Sequence, residues 1–84
     1  MKIMEELGIT DIENIAKKKK EIKARYKTDE DFKKKLDTKY VNIQRNYEFF
    51  NNSRKNGMGF EDYMYINRMM PLYELFKIIY KDKH

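Results

Sequence analysis

Eleven basic side chains crowd into residues 17–39: Lys17, Lys18, Lys19, Lys20, Lys23, Arg25, Lys27, Lys33, Lys34, Lys35 and Lys39. Cations at that density suit one kind of chemistry, the neutralisation of a polyanion with release of its condensed counterions. The imbalance is local. Residues 1–16 carry a net charge of −3, residues 17–39 of +6 and residues 40–84 of +2, within a total of +5. Fifteen Lys against four Arg favour point-charge contact with phosphates over bidentate reading of base edges, so little sequence preference is expected. Tyr26, Phe32 and Tyr40 are interleaved with the lysines and could stack on unpaired bases of RNA or DNA. Phe32 and Tyr40 also belong to an apolar seam, where a core role competes. The plain alternative for the lysines themselves is a solvated helix face.

Other chemistries find little support. There is no cysteine, hence no disulfide, thiolate nucleophile or cysteine-based zinc site. The one imidazole is His84 and the one serine is Ser53. Asp29, Glu30 and Asp31 lack the alternating spacing and the glycine of a calcium loop, and suit the first turn of a helix instead. Asn56-Gly57-Met58-Gly59 is glycine-rich, yet no phosphate-binding lysine follows it and no strand precedes it. The expectation is a non-enzymatic binding protein with no cofactor and no metal.

A second surface is suggested by Met58, Tyr63, Met64 and Tyr65, which fall on more than one face of a short helix. Tyr and Met are enriched where proteins touch, so an inhibitor or adaptor docking on one partner protein is the alternative function. The same side chains could simply complete the core.

These residues need elements to hold them. Thr10-Asp11-Ile12-Glu13 reads as a capping box, opening a helix over about residues 11–27 with Ile12, Ile15, Ile22 and Tyr26 near one face. Lys19 falls in the same stripe, where its stem can pack while its ammonium reaches water. Thr28 caps the next helix, about 29–52, with acidic residues in its first turn. Along it Phe32, Leu36, Tyr40, Ile43, Tyr47 and Phe50 recur every three or four residues, a seam with heptad character. Before these, Met1 and its neighbours form at most one helical turn stopped by Gly8. After the glycine loop come helices over about 60–69 and 71–82, the second opened by Pro71 at its first position.

The predicted fold class is all-α: a small three- to four-helix assembly in one domain, built on a long central amphipathic helix. Leu, Ile, Val and Phe make up 19 of 84 residues, just above the roughly 20% below which a highly charged chain stays disordered. Stability is therefore thin, and a homodimer is as compatible with the pattern as a monomer. The most apolar stretch, residues 69–80, carries Glu74 and Lys77 and is too short to span a bilayer. No secretory pattern is visible, which points to the cytoplasm of a bacterial or virus-infected host cell. Abundant Lys, Ile, Asn and Tyr is the composition of AT-rich genomes and of many phage accessory proteins. The functional expectation is a small basic regulator of nucleic acid, of the phage host-takeover or counter-defence kind.

Overall fold

A computed structural model describes residues 2–9, 11–54 and 57–81. The five α-helices are α1 (Lys2–Glu6), α2 (Lys19–Thr28), α3 (Glu30–Arg54), α4 (Phe60–Ile66) and α5 (Met70–Ile79), and no strand is present among the described residues. The fold is all-α with a long central helix, as the periodicity requires.

The seam of α3 organises the rest. Phe32, Leu36 and Ile43 are buried, and Tyr40, Tyr47 and Phe50 pack at its edge. At 25 residues and about 1.5 Å per residue, α3 accounts for the 39 Å long axis of the molecule. Its start differs by one residue from the sequence expectation. Asp29, in extended conformation (φ −107, ψ 98), accepts the Phe32 backbone N–H at 3.1 Å. Thr28 instead closes α2, donating its hydroxyl to the Ala24 carbonyl at 2.9 Å. A carboxylate at the N-cap both accepts the free N–H and meets the positive end of the helix dipole, which a hydroxyl does less well.

The helix expected from residue 11 begins later. Residues Ile12–Asn14 and Ala16–Lys18 form two 3₁₀ turns, and α-geometry starts only at Lys19. Thr10, the expected cap, lies outside the described residues. Neither turn has a side-chain cap, and the Asp11 carboxylate is engaged instead by the Asn14 side-chain amide at 2.9 and 3.0 Å. Four consecutive ammonium groups at the start of a helix oppose its dipole, which explains the weak entry. The turns still deliver Ile15 to the core.

Two helices end in the same motif on different residues. At the end of α1 the Gly8 N–H reaches the Glu5 carbonyl at 3.0 Å and the Ile9 N–H reaches Met4 at 2.9 Å, with Gly8 left-handed at φ 73. At the end of α4 the Arg68 N–H reaches Tyr65 at 3.0 Å and the Met69 N–H reaches Met64 at 2.8 Å, with Arg68 at φ 57. Both are Schellman stops. Gly8 is needed twice over, because a Cβ there would also lie 3.1 Å from the Arg25 guanidinium. Pro71 then sits in the first turn of α5, where its missing N–H costs nothing.

The core collects Met4 from α1 and Leu7 just after it, Ile22 from α2, the α3 seam, Met64 from α4, and Leu72, Leu75 and Phe76 from α5. The N-terminal helix is thus a core element and not a loose turn. Helix α2 packs on both α3 and α5, and α4 packs on α5. The Met58 carbonyl accepts the Tyr47 hydroxyl at 2.6 Å and the Asn51 amide at 3.0 Å, tying the chain before α4 back to α3. No helix among the described residues is long and apolar enough to cross a membrane.

The two stops predict opposite responses. Gly8→Ala should destabilise by about 1–2 kcal/mol, the cost of a Cβ in the left-handed region. Arg68→Gly should stabilise by up to about 1 kcal/mol, since only the strain is removed. Chemical denaturation of both variants checks the signs, and a loss of stability in Arg68→Gly would contradict the assignment.

Candidate nucleic-acid interface

One carboxylate joins three helices. Asp37 on α3 accepts hydrogen bonds from the Tyr26 hydroxyl of α2, at 2.7 Å, and from the Tyr80 hydroxyl at the end of α5, both on Oδ1. The Tyr80 ring stacks on Tyr40 with centroids 4.0 Å apart and meets Tyr26 edge-on at 6.2 Å. Tyr40 in turn takes the edge of Phe76 at 5.0 Å. Burial first, and the Asp37 carboxylate next, push the Tyr26 and Tyr80 hydroxyls above the usual tyrosine range, Tyr80 far above it. Tyr40 is raised by burial, against a lowering contact from Gln44. The rings that sequence alone offers as base-stacking platforms are therefore committed. Phe32 is buried under the Arg25 guanidinium, 4.3 Å from its centroid, and Tyr40 is sandwiched in this cluster.

With Tyr26 and Ile22 turned inward, the two flanks of α2 acquire different characters. One bears Arg25 and Glu21 beside Gly8 and Ile15. Arg25 packs over Phe32, abuts Gly8 and sits 3.6 Å from the Asp29 carboxylate. The Phe32 N–H, with Arg25 beside it, holds that carboxyl below its ordinary range. Arg25 is accordingly a clamp between α1, α2 and α3, not a free cation for phosphate. The opposite flank carries Lys19, Lys23 and Lys27 at one-turn intervals. It faces α5, which adds Lys77, and Lys81 just beyond it.

Two hollows lie along this α2/α5 seam. The first, about 370 Å³, is lined by Ala16, Lys19, Tyr73, Glu74, Lys77, Ile78 and Lys81. The second, about 390 Å³, is lined by Lys23, Tyr26, Lys27, Ile78, Ile79 and Lys81. Lys77 pairs with Glu74 at 2.9 Å, which holds its ammonium protonated above the usual lysine range, and it lies over the Tyr73 ring at 5.1 Å. Among the described residues, no ion pair engages Lys19, Lys23, Lys27 or Lys81.

The lysines of α3 are divided from this group. Lys34, Lys35 and Lys39 line a separate hollow with Ile3, Glu6 and Thr38, and Lys35 pairs with Asp31 at 3.1 Å. Acidic α1 therefore faces this part of the basic segment. Lys33 alone turns toward α2, 5.7 Å from the Tyr26 ring. Lys17, Lys18 and Lys20 are exposed at the start of α2, Lys18 within 4.0 Å of Asp11. The structure thus splits the eleven-residue cluster and joins one part of it to Lys77 and Lys81. Sequence reasoning passed over those two because they stand far along the chain, although their i,i+4 spacing was a usable signal.

The suggested protein-contact residues also separate. Tyr63 and Met64 are 9% and 0% exposed, so they cannot present a surface: Tyr63 packs against Tyr47 and Phe50. Met58 is half-buried against the core. Tyr65 is exposed at 69%, beside Ile66 at 54%, and together with Met70 and Pro71 they line a shallow hollow. Phe49, 74% exposed on the outer side of α3, was not singled out by pattern.

Comparison with protein-family models, with characterised proteins and with solved structures gave no match.

The tyrosine cluster makes stability sensitive to alkali. A tyrosine whose folded pKa is raised keeps its proton while the unfolded chain loses it, so stability is full below about pH 10 and falls above it. Tyr80→Phe should remove about one proton from that dependence, a slope change of about 1.4 kcal/mol per pH unit. Denaturation curves between neutral and strongly alkaline pH check this, and an unchanged alkaline slope would contradict it.

Proposed function

We propose that this chain is a small, non-enzymatic regulator that binds nucleic acid through its backbone, with little sequence preference, along the α2/α5 seam. The supporting observation is the alignment of Lys19, Lys23 and Lys27 with Lys77 and Lys81, with Glu74 the one acidic side chain lining the two hollows among the described residues. Lysines spaced by one helical turn, about 6 Å apart along the axis, suit a repeating phosphate backbone and supply no bidentate fork for base edges. The size and composition of the chain fit a phage-type host-takeover or counter-defence factor acting in the cytoplasm.

A second reading has its own observation. Tyr65 and Ile66 expose more apolar surface than a self-contained helix end needs, which suits an adaptor or inhibitor docking on a protein partner. Such a partner would be lost on Tyr65→Ala and not on removal of lysines.

Salt titration tests the first reading. If the five lysines each displace a counterion, the logarithm of the association constant should fall against the logarithm of salt concentration with a slope of about −3 to −4. The triple substitution of Lys19, Lys23 and Lys27 by Gln should reduce that slope by about 2 while helicity is retained. The matched triple of Lys34, Lys35 and Lys39, with the same loss of net charge, should change it much less. Equal effects of the two triples would mean that net charge, not this seam, is responsible.

A further inference from the structure

We infer that the ligand of the α2/α5 seam is a single strand, whose phosphates lie on the lysines and whose unstacked bases enter the two hollows. This rests on the polyanion reading above and goes beyond it, because it assigns a role to the apolar floor. The first hollow has Ala16, Tyr73 and Ile78 behind Lys19, Lys77 and Lys81. The second has Tyr26, Ile78 and Ile79 behind Lys23, Lys27 and Lys81.

The two hollows share Ile78 and Lys81 and are therefore adjacent along the seam. Their volumes, about 370 and 390 Å³, fall at the lower end of the range for small-ligand sites. Ile78 belongs to the core and Tyr26 is held by Asp37, so both serve as fixed apolar wall, and Tyr73 in the first hollow is the ring offered to a base. A single strand presents both chemistries at once, a charged backbone and flat, weakly solvated bases. A duplex keeps its base faces inside the stack, so it meets the lysine rim alone unless a base is flipped out at the cost of unstacking.

Charge is distributed to match. The second hollow has three lysines and, among the described residues, no acidic lining residue. In the first, Glu74 holds Lys77 at 2.9 Å and keeps it over the Tyr73 ring. A base entering there takes the place of the Lys77 ammonium over Tyr73, and the ammonium turns to the adjacent phosphate.

Fluorescence anisotropy with three labelled probes of equal phosphate count tests the inference: oligo(dT), the same strand with abasic sites throughout, and a duplex. The intact full-length protein should bind oligo(dT) about tenfold or more tighter than either of the others. Tyr73→Ala and, as a milder replacement, Tyr73→Leu should erase most of that preference, while Phe49→Ala on the far side of α3 should not. Equal, salt-dependent binding of all three probes would overturn the base-seating inference and leave the backbone reading standing. Salt-insensitive binding, or none to any probe, would overturn both. A preference for oligo(dT) that survives both Tyr73 variants would overturn the assignment of the first hollow.

Discussion

The shared acceptance of two tyrosine hydroxyls by Asp37 is the contact on which the remaining geometry depends. Tyr26 and Tyr80 are separated from Asp37 by 11 and 43 residues, yet both converge on one oxygen in the middle of an aromatic cluster. Asp37 is only part-buried, and by accepting both hydroxyls it fixes the rotation of α2, α3 and the end of α5 about their axes. That rotation is what matters. With Tyr26 directed at Asp37, the Lys19–Lys23–Lys27 flank has to run beside α5, and Lys77 and Lys81 come into line with it. The same constraint turns Arg25 toward Phe32 and Gly8.

Charge then sorts itself by fold, not by sequence position. Glu6 of α1 shares a hollow with Lys34, Lys35 and Lys39, Asp11 meets Lys18, and Asp31 takes Lys35. These contacts temper the α3 lysines and Lys18. Among the described residues, Glu74, which pairs with Lys77, is the acidic side chain lining the α2/α5 hollows, and Glu61 acts on Lys77 from further away. A chain with a modest overall charge of +5 thus gathers Lys19, Lys23, Lys27, Lys77 and Lys81 along one strip with an apolar floor.

The elements that were legible in the sequence are those dictated by local physics. The three- and four-residue recurrence from Phe32 to Phe50 reads as a helix seam, Pro71 had either to kink a helix or to open one, and it opens one, and Gly8 marked a stop. Misplacements came where two local rules compete. Thr28 and Asp29 are both good caps, and the carboxylate wins through the helix dipole. Residues 12–18 have helical apolar spacing, but the lysine run opposes the dipole and 3₁₀ turns result. The candidate site was legible only in part, because a side chain's rotation about its helix depends on tertiary contacts. Nothing local distinguishes Lys23, in the seam, from Arg25, in a packing clamp. Tyr63 and Met64 looked available for a partner since their own helix is short. Their burial is supplied by the rest of the core, with Tyr47 and Phe50 of α3 against Tyr63.

Residue-level amine footprinting tests the central claim most directly. Lysine acylation, quantified by mass spectrometry with and without a single-stranded oligonucleotide, reports which ammonium groups the ligand covers. Loss of reactivity is expected at Lys19, Lys23, Lys27 and Lys81, with Lys34, Lys35 and Lys39 still reactive. Protection centred on Lys34, Lys35 and Lys39, or spread evenly over all lysines, would contradict it.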